Sequence, residues 1–146
     1  PWHSTLHSSH DRSGKGAGFG GGDGWNGPRD FGEGEYGPGA RCIDTLRPFE
    51  VAVSFPVGAS GMLQAMEVVL SQRGKDCPVK MRVEHYSGTA PVSDALAKGM
   101  TPVVSYWAAD DMTWMDGKGA DGRGPCAADR ASQCSDSVRF YNFSLR

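Results

Sequence analysis

"FEVAVSF", residues 49–55, decides the fold. Phe49, Val51, Val53 and Phe55 alternate with Glu50, Ala52 and Ser54. That period of two belongs to a strand with one buried face. "VKMRVEH", residues 79–85, repeats it, with Val79, Met81 and Val83 pointing one way and Lys80, Arg82 and Glu84 the other. Between them, "VGASG" (57–61) reads as a turn and "MLQAMEVVL" (62–70) as a strand of weaker alternation. Further strands are predicted at 101–107, 112–116 and 138–144, the first two meeting at the turn Ala108–Asp111. One short helix is predicted over 93–98, with Ser93 as N-cap and Gly99 as C-terminal stop. Strand after strand with Gly-rich punctuation predicts an all-β fold, an antiparallel sandwich or barrel.

The first part of the chain is a different kind of polymer. Glycine makes up 21 of 146 residues, where average usage gives roughly ten, and most of the excess precedes residue 40. Residues 14–39 lack periodicity but carry Phe19, Trp25, Phe31 and Tyr36. A flexible linker rarely holds aromatics so regularly, so this stretch reads as an ordered loop packed on a scaffold. The division is a loop region over 1–42 and a strand region over 43–146, with a second long loop over 117–137. Length allows one domain with a modest core. The formal net charge of −2 gives no electrostatic case for nucleic acid or an anionic membrane. No apolar run approaches the ~18 residues of a membrane span. The opening "PWHSTLHSSH" has neither an initiator Met nor a signal-like segment and reads as a fragment or a processed product.

Cys42, Cys77, Cys126 and Cys134 form no C-x-x-C pair, which argues against a zinc ribbon. An even count in a Gly-rich chain points to disulfides and a secreted protein, with three connectivities open. "NFS" at Asn142 fits an N-glycosylation acceptor but falls within a predicted strand, so it is expected to go unused. His3, His7 and His10 have a spacing that would gather metal ligands only on a helix, and the interrupting serines and threonine argue against one. No metal or cofactor is expected. "GKGAGFGGG" lacks the flanking strand, helix and Lys-Ser/Thr of a phosphate loop. No cysteine sits in a nucleophile context.

"SYWAADDMTWMD", residues 105–116, is the strongest local signal, two tryptophans around two aspartates. Each Trp is either a core side chain or a platform on which a pyranose ring stacks. In the second reading Asp110, Asp111 and Asp116 bond sugar hydroxyls.

The same stretch carries a resemblance. "GMTPVVSYWAADDMTWMDG" (99–117) is similar to the G-M-x-x-x-x-S-x-W-D-D and M-L-W-L-D segments of glycoside hydrolase family 7, the retaining cellulases. "YGPGARCIDTLRPFEVAVSF" (36–55), "GRGPC" (122–126) and "VRFYNFS" (138–144) resemble further motifs of that family in the same order. "WHSTLH" (2–7) and "GWNGPRD" (24–30) resemble its dinoflagellate branch. The resemblance implies a concanavalin-like jelly-roll sandwich, incomplete without an upstream half, whose long loops roof a β-1,4-glucan cleft. It implies substrate-binding roles for His7, Arg29, Trp107, Asp110, Asp111, Trp114 and Arg123. Ala108 and Ala109 stand where the family has an Asp directly after the first Trp, which shifts Asp110 and Asp111 along the chain. The family's E-x-D-x-x-E strand, whose two carboxyls lie about 5–5.5 Å apart in a retaining enzyme, has no counterpart in these residues, so no catalytic residue is assigned. The family's partner for Cys126 is likewise absent, and a Cys126–Cys134 bridge is the substitute it suggests.

Two functions follow: the substrate-binding C-terminal half of a secreted cellulase, or a non-catalytic structural or carbohydrate-binding protein of that fold within a larger assembly, outside the cell or in its wall. Expected partners are a cello-oligosaccharide and either the missing N-terminal half or other polypeptide chains.

Overall fold

The computed structural model describes residues 2, 4–12, 16–19, 31–105, 109–110, 130–133 and 137–146. Their regular structure is mostly strand: β1 (Ser4–Leu6), β2 (Ala17–Phe19), β3 (Tyr36–Gly37), β4 (Ile43–Asp44), β5 (Glu50–Ser54), β6 (Ala65–Ser71) and β7 (Val79–Glu84), with one helix, α1 (Thr89–Lys98). The fold is all-β. Three of these strands lie before residue 43, in the stretch read as loop.

The antiparallel meander β5-β6-β7 is the scaffold. β6 is central, with Leu70 opposite Val79, Val68 opposite Met81 and Met66 opposite Val83. All six are buried, while Lys80, Arg82 and Glu84 face solvent. The apolar alternation thus sets which face of β7 is inward. On the outer face Arg82 is paired with Glu67 and with Glu84, the latter at 2.8 Å.

Two small ladders cover the inner face. The parallel pair β3-β4 sits over one end, where Cys42 and Ile43 join Val68, Leu70, Val79 and Met81. Trp2, Phe31, Tyr36 and Phe49 pack around this core, and Tyr36 meets Trp2 and Phe49 edge-on at 6.0 and 6.1 Å. The hairpin β1-β2 and α1 cover the other end, where Leu6, Leu63, Met66, Val83 and Val92 cluster. Of the three possible disulfide connectivities, Cys42–Cys77 forms, at 5.1 Å between Cα atoms, and ties β4 to the approach of β7. Cys126 and Cys134 lie outside the described residues. Gln72, 7% exposed, ties the turn after β6 to β4: its Oε1 accepts the Asp44 N–H and its Nε2 donates to the Asp44 carbonyl, both at 2.9 Å.

Several expectations change. β5 forms where the alternation places it, but Val51 and Val53 are 50% and 48% exposed because the covering ladders reach only β6 and β7. The helix begins four residues before Ser93. Pro91 sits in its first turn, where the lost N–H has no helical partner to lose. Ser93 is therefore not an N-cap. It is buried inside α1 and its Oγ accepts the Leu63 N–H at 3.0 Å. Gly99 does stop the helix, at φ 95 with its N–H on the Leu96 carbonyl. Residues 101–105 and 138–144 form no strand and are exposed, since β propensity alone does not make one, and 106–107 lie outside the described residues. Asn142 has φ 56 and is exposed, so no strand shields its N-glycosylation pattern. The predicted strand over 112–116 lies outside the described residues. No helix among the described residues is long and apolar enough to cross a membrane.

Candidate functional site

Of the seven binding positions, His7 and Asp110 are described; Arg29, Trp107, Asp111, Trp114 and Arg123 lie outside the described residues. His7 follows β1 directly, with its backbone fixed by the burial of Leu6 and its side chain exposed. Its ring lies against Gly16, where a Cβ would stand 2.9 Å from His7 Nδ1 and 2.2 Å from the Leu6 carbonyl oxygen. Gly16 also has φ +64. Only glycine fits that approach without shifting the hairpin. Asp110 is exposed and its Oδ1 accepts the Ala131 N–H at 2.8 Å, holding the start of a short 3-10 turn, Ala131–Gln133. The helical face that would gather His3, His7 and His10 does not form, because Ser4–Leu6 is a strand; His3 itself lies outside the described residues.

Gly16 is also part of the wall of a cleft of about 710 Å³, between the hairpin and the start of α1. His10, Asp11 and Arg12 line one side and His85 and Tyr86 the other. Neither His7 nor Asp110 lines it, though His7 lies directly behind Gly16. Tyr86 braces the cleft. Its hydroxyl accepts the Ser8 N–H at 2.9 Å and reaches Asp11 Oδ2 at 3.5 Å. Asp11 Oδ2 also accepts the Gly16 N–H at 2.6 Å. Ser8 Oγ accepts the His10 N–H at 3.1 Å, which completes a fixed turn over residues 8–11. Across from it, His85 takes a left-handed φ of 58, and its ring is 89% exposed at the cleft mouth.

Such a surface offers imidazole and phenol rings beside hydroxyl, guanidinium and carboxylate groups, which suits a hydroxyl-rich ligand. The described residues bring no pair of carboxyls together there. Among the described residues Asp11 is the one carboxylate in the cleft wall, and its Oδ2 already holds the Gly16 amide. Away from the cleft, the Asp44 carboxyl is held below the ordinary range by the N–H groups of Gly39 and Leu46, at 2.8 and 3.1 Å. Arg82 does the same to Glu84. Burial raises the Tyr36 phenol.

Of the residues that line the cleft, sequence reading singled out His10 but not Tyr86, His85 or Asp11. The contact joining them spans 78 residues, and a left-handed histidine leaves no mark in composition.

The chain is 32% identical over 114 residues to Endoglucanase 1 of Pyricularia oryzae, a match covering 59% of this chain and 26% of that protein. It is 30% identical over 114 residues to a probable endo-β-1,4-glucanase of Neosartorya fischeri (68% and 28% covered). It is 28% identical over 133 residues to another from Aspergillus fumigatus (81% and 32% covered). No protein-family model matches, and no solved structure matches. The chain spans between a quarter and a third of the length of the curated relatives it matches, and those relatives are endoglucanases.

Proposed function

We propose that the chain is the substrate-binding C-terminal part of a retaining β-1,4-glucan hydrolase of glycoside hydrolase family 7. The observation that carries this reading is its similarity to endoglucanases over as much as 133 residues. The family motifs in the sequence favour family 7 within that class, and the polar lining of the cleft beside Gly16 suits a polysaccharide ligand. On this reading Trp107 and Trp114 stack on successive glucose rings. His7, Arg29 and Arg123 stand at the rim, and Asp110 and Asp111 bond hydroxyls. The exposed apolar row of β5 is covered by further polypeptide that completes a sandwich. The Cys42–Cys77 bridge favours a secreted protein, since such bridges persist in oxidising compartments.

A second reading, a non-catalytic carbohydrate-binding or structural protein, is favoured by one observation: these residues contain no E-x-D-x-x-E. Titration with cello-oligosaccharides and a reducing-end assay on soluble β-1,4-glucan test both. Under the first reading, and under the carbohydrate-binding form of the second, the 146-residue chain binds the oligosaccharide without turnover. Trp107→Ala and Trp114→Ala each weaken binding by about 1–3 kcal/mol if sugar stacking resembles other aromatic stacking. Turnover that appears only when a stretch bearing E-x-D-x-x-E is supplied selects the first reading. Absence of oligosaccharide binding sinks the first reading and leaves only the structural form of the second. Turnover by this chain, lost on changing Asp110, Asp111 or Asp116, places catalysis here instead.

A further inference from the structure

Among the described residues β5 is an edge strand whose core-side row lies open. Val51 and Val53 stand opposite Leu70 and Val68, so they share the buried face of the sheet, yet each is about half exposed. Phe55, just beyond, is 42% exposed. β6 holds one side of β5, and the other side pairs with no strand among the described residues. An open edge with an apolar row is a template for another strand. The same chain carries a segment of matching pattern. Residues 137–146 are exposed and in no strand, with Val138 and Phe140 alternating with Arg139 and Tyr141 before the left-handed Asn142.

We propose that residues 138–141 of the same chain are the strand that pairs with the open edge of β5. Parity supports it. With Val138 and Phe140 continuing the row of Val51 and Val53, Arg139 and Tyr141 fall on the face of Glu50, Ala52 and Ser54. A slip of one residue would set Arg139 over the apolar row. Charge agrees: residues 137–146 carry Arg139 and Arg146 and no acid, whereas β5 carries Glu50 and no base. Reach is no obstacle, since roughly forty residues separate α1 from Val138 and each can extend ~3.3 Å. Tethering also favours the chain's own segment over that of a second copy, because linkage raises its effective concentration.

Amide hydrogen exchange of the 146-residue chain tests this. The β5 amides that point away from β6 are expected to exchange more than roughly tenfold faster once residues 137–146 are deleted. Because deletion can disturb folding, Val138→Lys/Phe140→Lys in the full chain is the second variant, with β7 amides as the internal reference. It is expected to release the β5 amides while those of β7 stay slow. Arg139→Ser/Tyr141→Ser, on the opposite face, releases them less. A 137–146 peptide added to the truncated chain restores protection. Equal β5 exchange with and without the segment overturns the proposal. Protection that rises with protein concentration also overturns it, by assigning the edge to a second copy.

Discussion

Ser93 Oγ accepts the Leu63 amide at 3.0 Å, joining α1 to the strand approach of β6 across 30 residues. Both residues are buried. Ser93→Ala leaves a buried N–H without a partner and is expected to cost about 1–3 kcal/mol in urea unfolding. Ser93→Thr keeps the hydroxyl and should recover part of that loss. If Ser93→Ala melts with the wild type, the bond does not hold the helix.

Gly16→Ala is expected to disrupt the β1-β2 hairpin. The added Cβ meets the Leu6 carbonyl oxygen at 2.2 Å and the residue sits at φ +64. A loss of about 1–3 kcal/mol follows from the backbone conformation alone, with the clash adding to it. Nuclear magnetic resonance shifts should move at His7 and Tyr86 but not at Val79 on the far end of the meander. An unchanged spectrum around His7 counts against the close approach.

Reducing the Cys42–Cys77 bridge, which spans 35 residues, is expected to lower stability by about 3–4 kcal/mol on the chain-entropy account. The loss should be felt first in the core around Ile43 and Leu70, where Cys42 is itself buried. A Cys42→Ala/Cys77→Ala chain as stable as the oxidised protein contradicts this.

Asp44 gives a pH test. Its carboxyl is depressed below the ordinary 3.8, first by the Gly39 N–H and then by that of Leu46. A depressed folded-state pKa stabilises the protein above the unfolded value, and the gain is lost as pH falls through the folded one. The unfolding free energy, measured from neutral to strongly acid pH, should therefore fall more steeply for the wild type than for Asp44→Asn below the ordinary value. Parallel curves would mean that the two N–H bonds do not favour the charged form.

β7 was fully legible in the sequence because each alternate side chain meets the environment its chemistry implies. β5 was legible as a strand but not as an exposed one, because burial depends on how far β1-β2 and β3-β4 reach over the sheet. The helix was found but misaligned: Ser93 has the chemistry of a cap and the position of a tether, and only the Leu63 amide distinguishes them. The cleft was opaque for a related reason. Its brace, Tyr86 to Ser8, joins segments far apart in the chain, and hydrophobic period carries no information about such pairs. Segments 101–105 and 138–144 have strand composition, but composition alone does not name a partner strand.

The meander also sets an order of events. Its pairings lie entirely between residues 50 and 84, joined by connections over 55–64 and 72–78. The N-terminal hairpin, by contrast, docks through a contact 78 residues apart. Closing the longer loop costs more chain entropy before any contact rewards it. During refolding the meander is therefore expected to gain amide protection before Ser8 does. Pulse labelling that finds the Ser8 amide protected first would reverse that order. The segment beside the cleft thus arrives after the meander, and the cleft takes shape only once the scaffold beneath it is rigid.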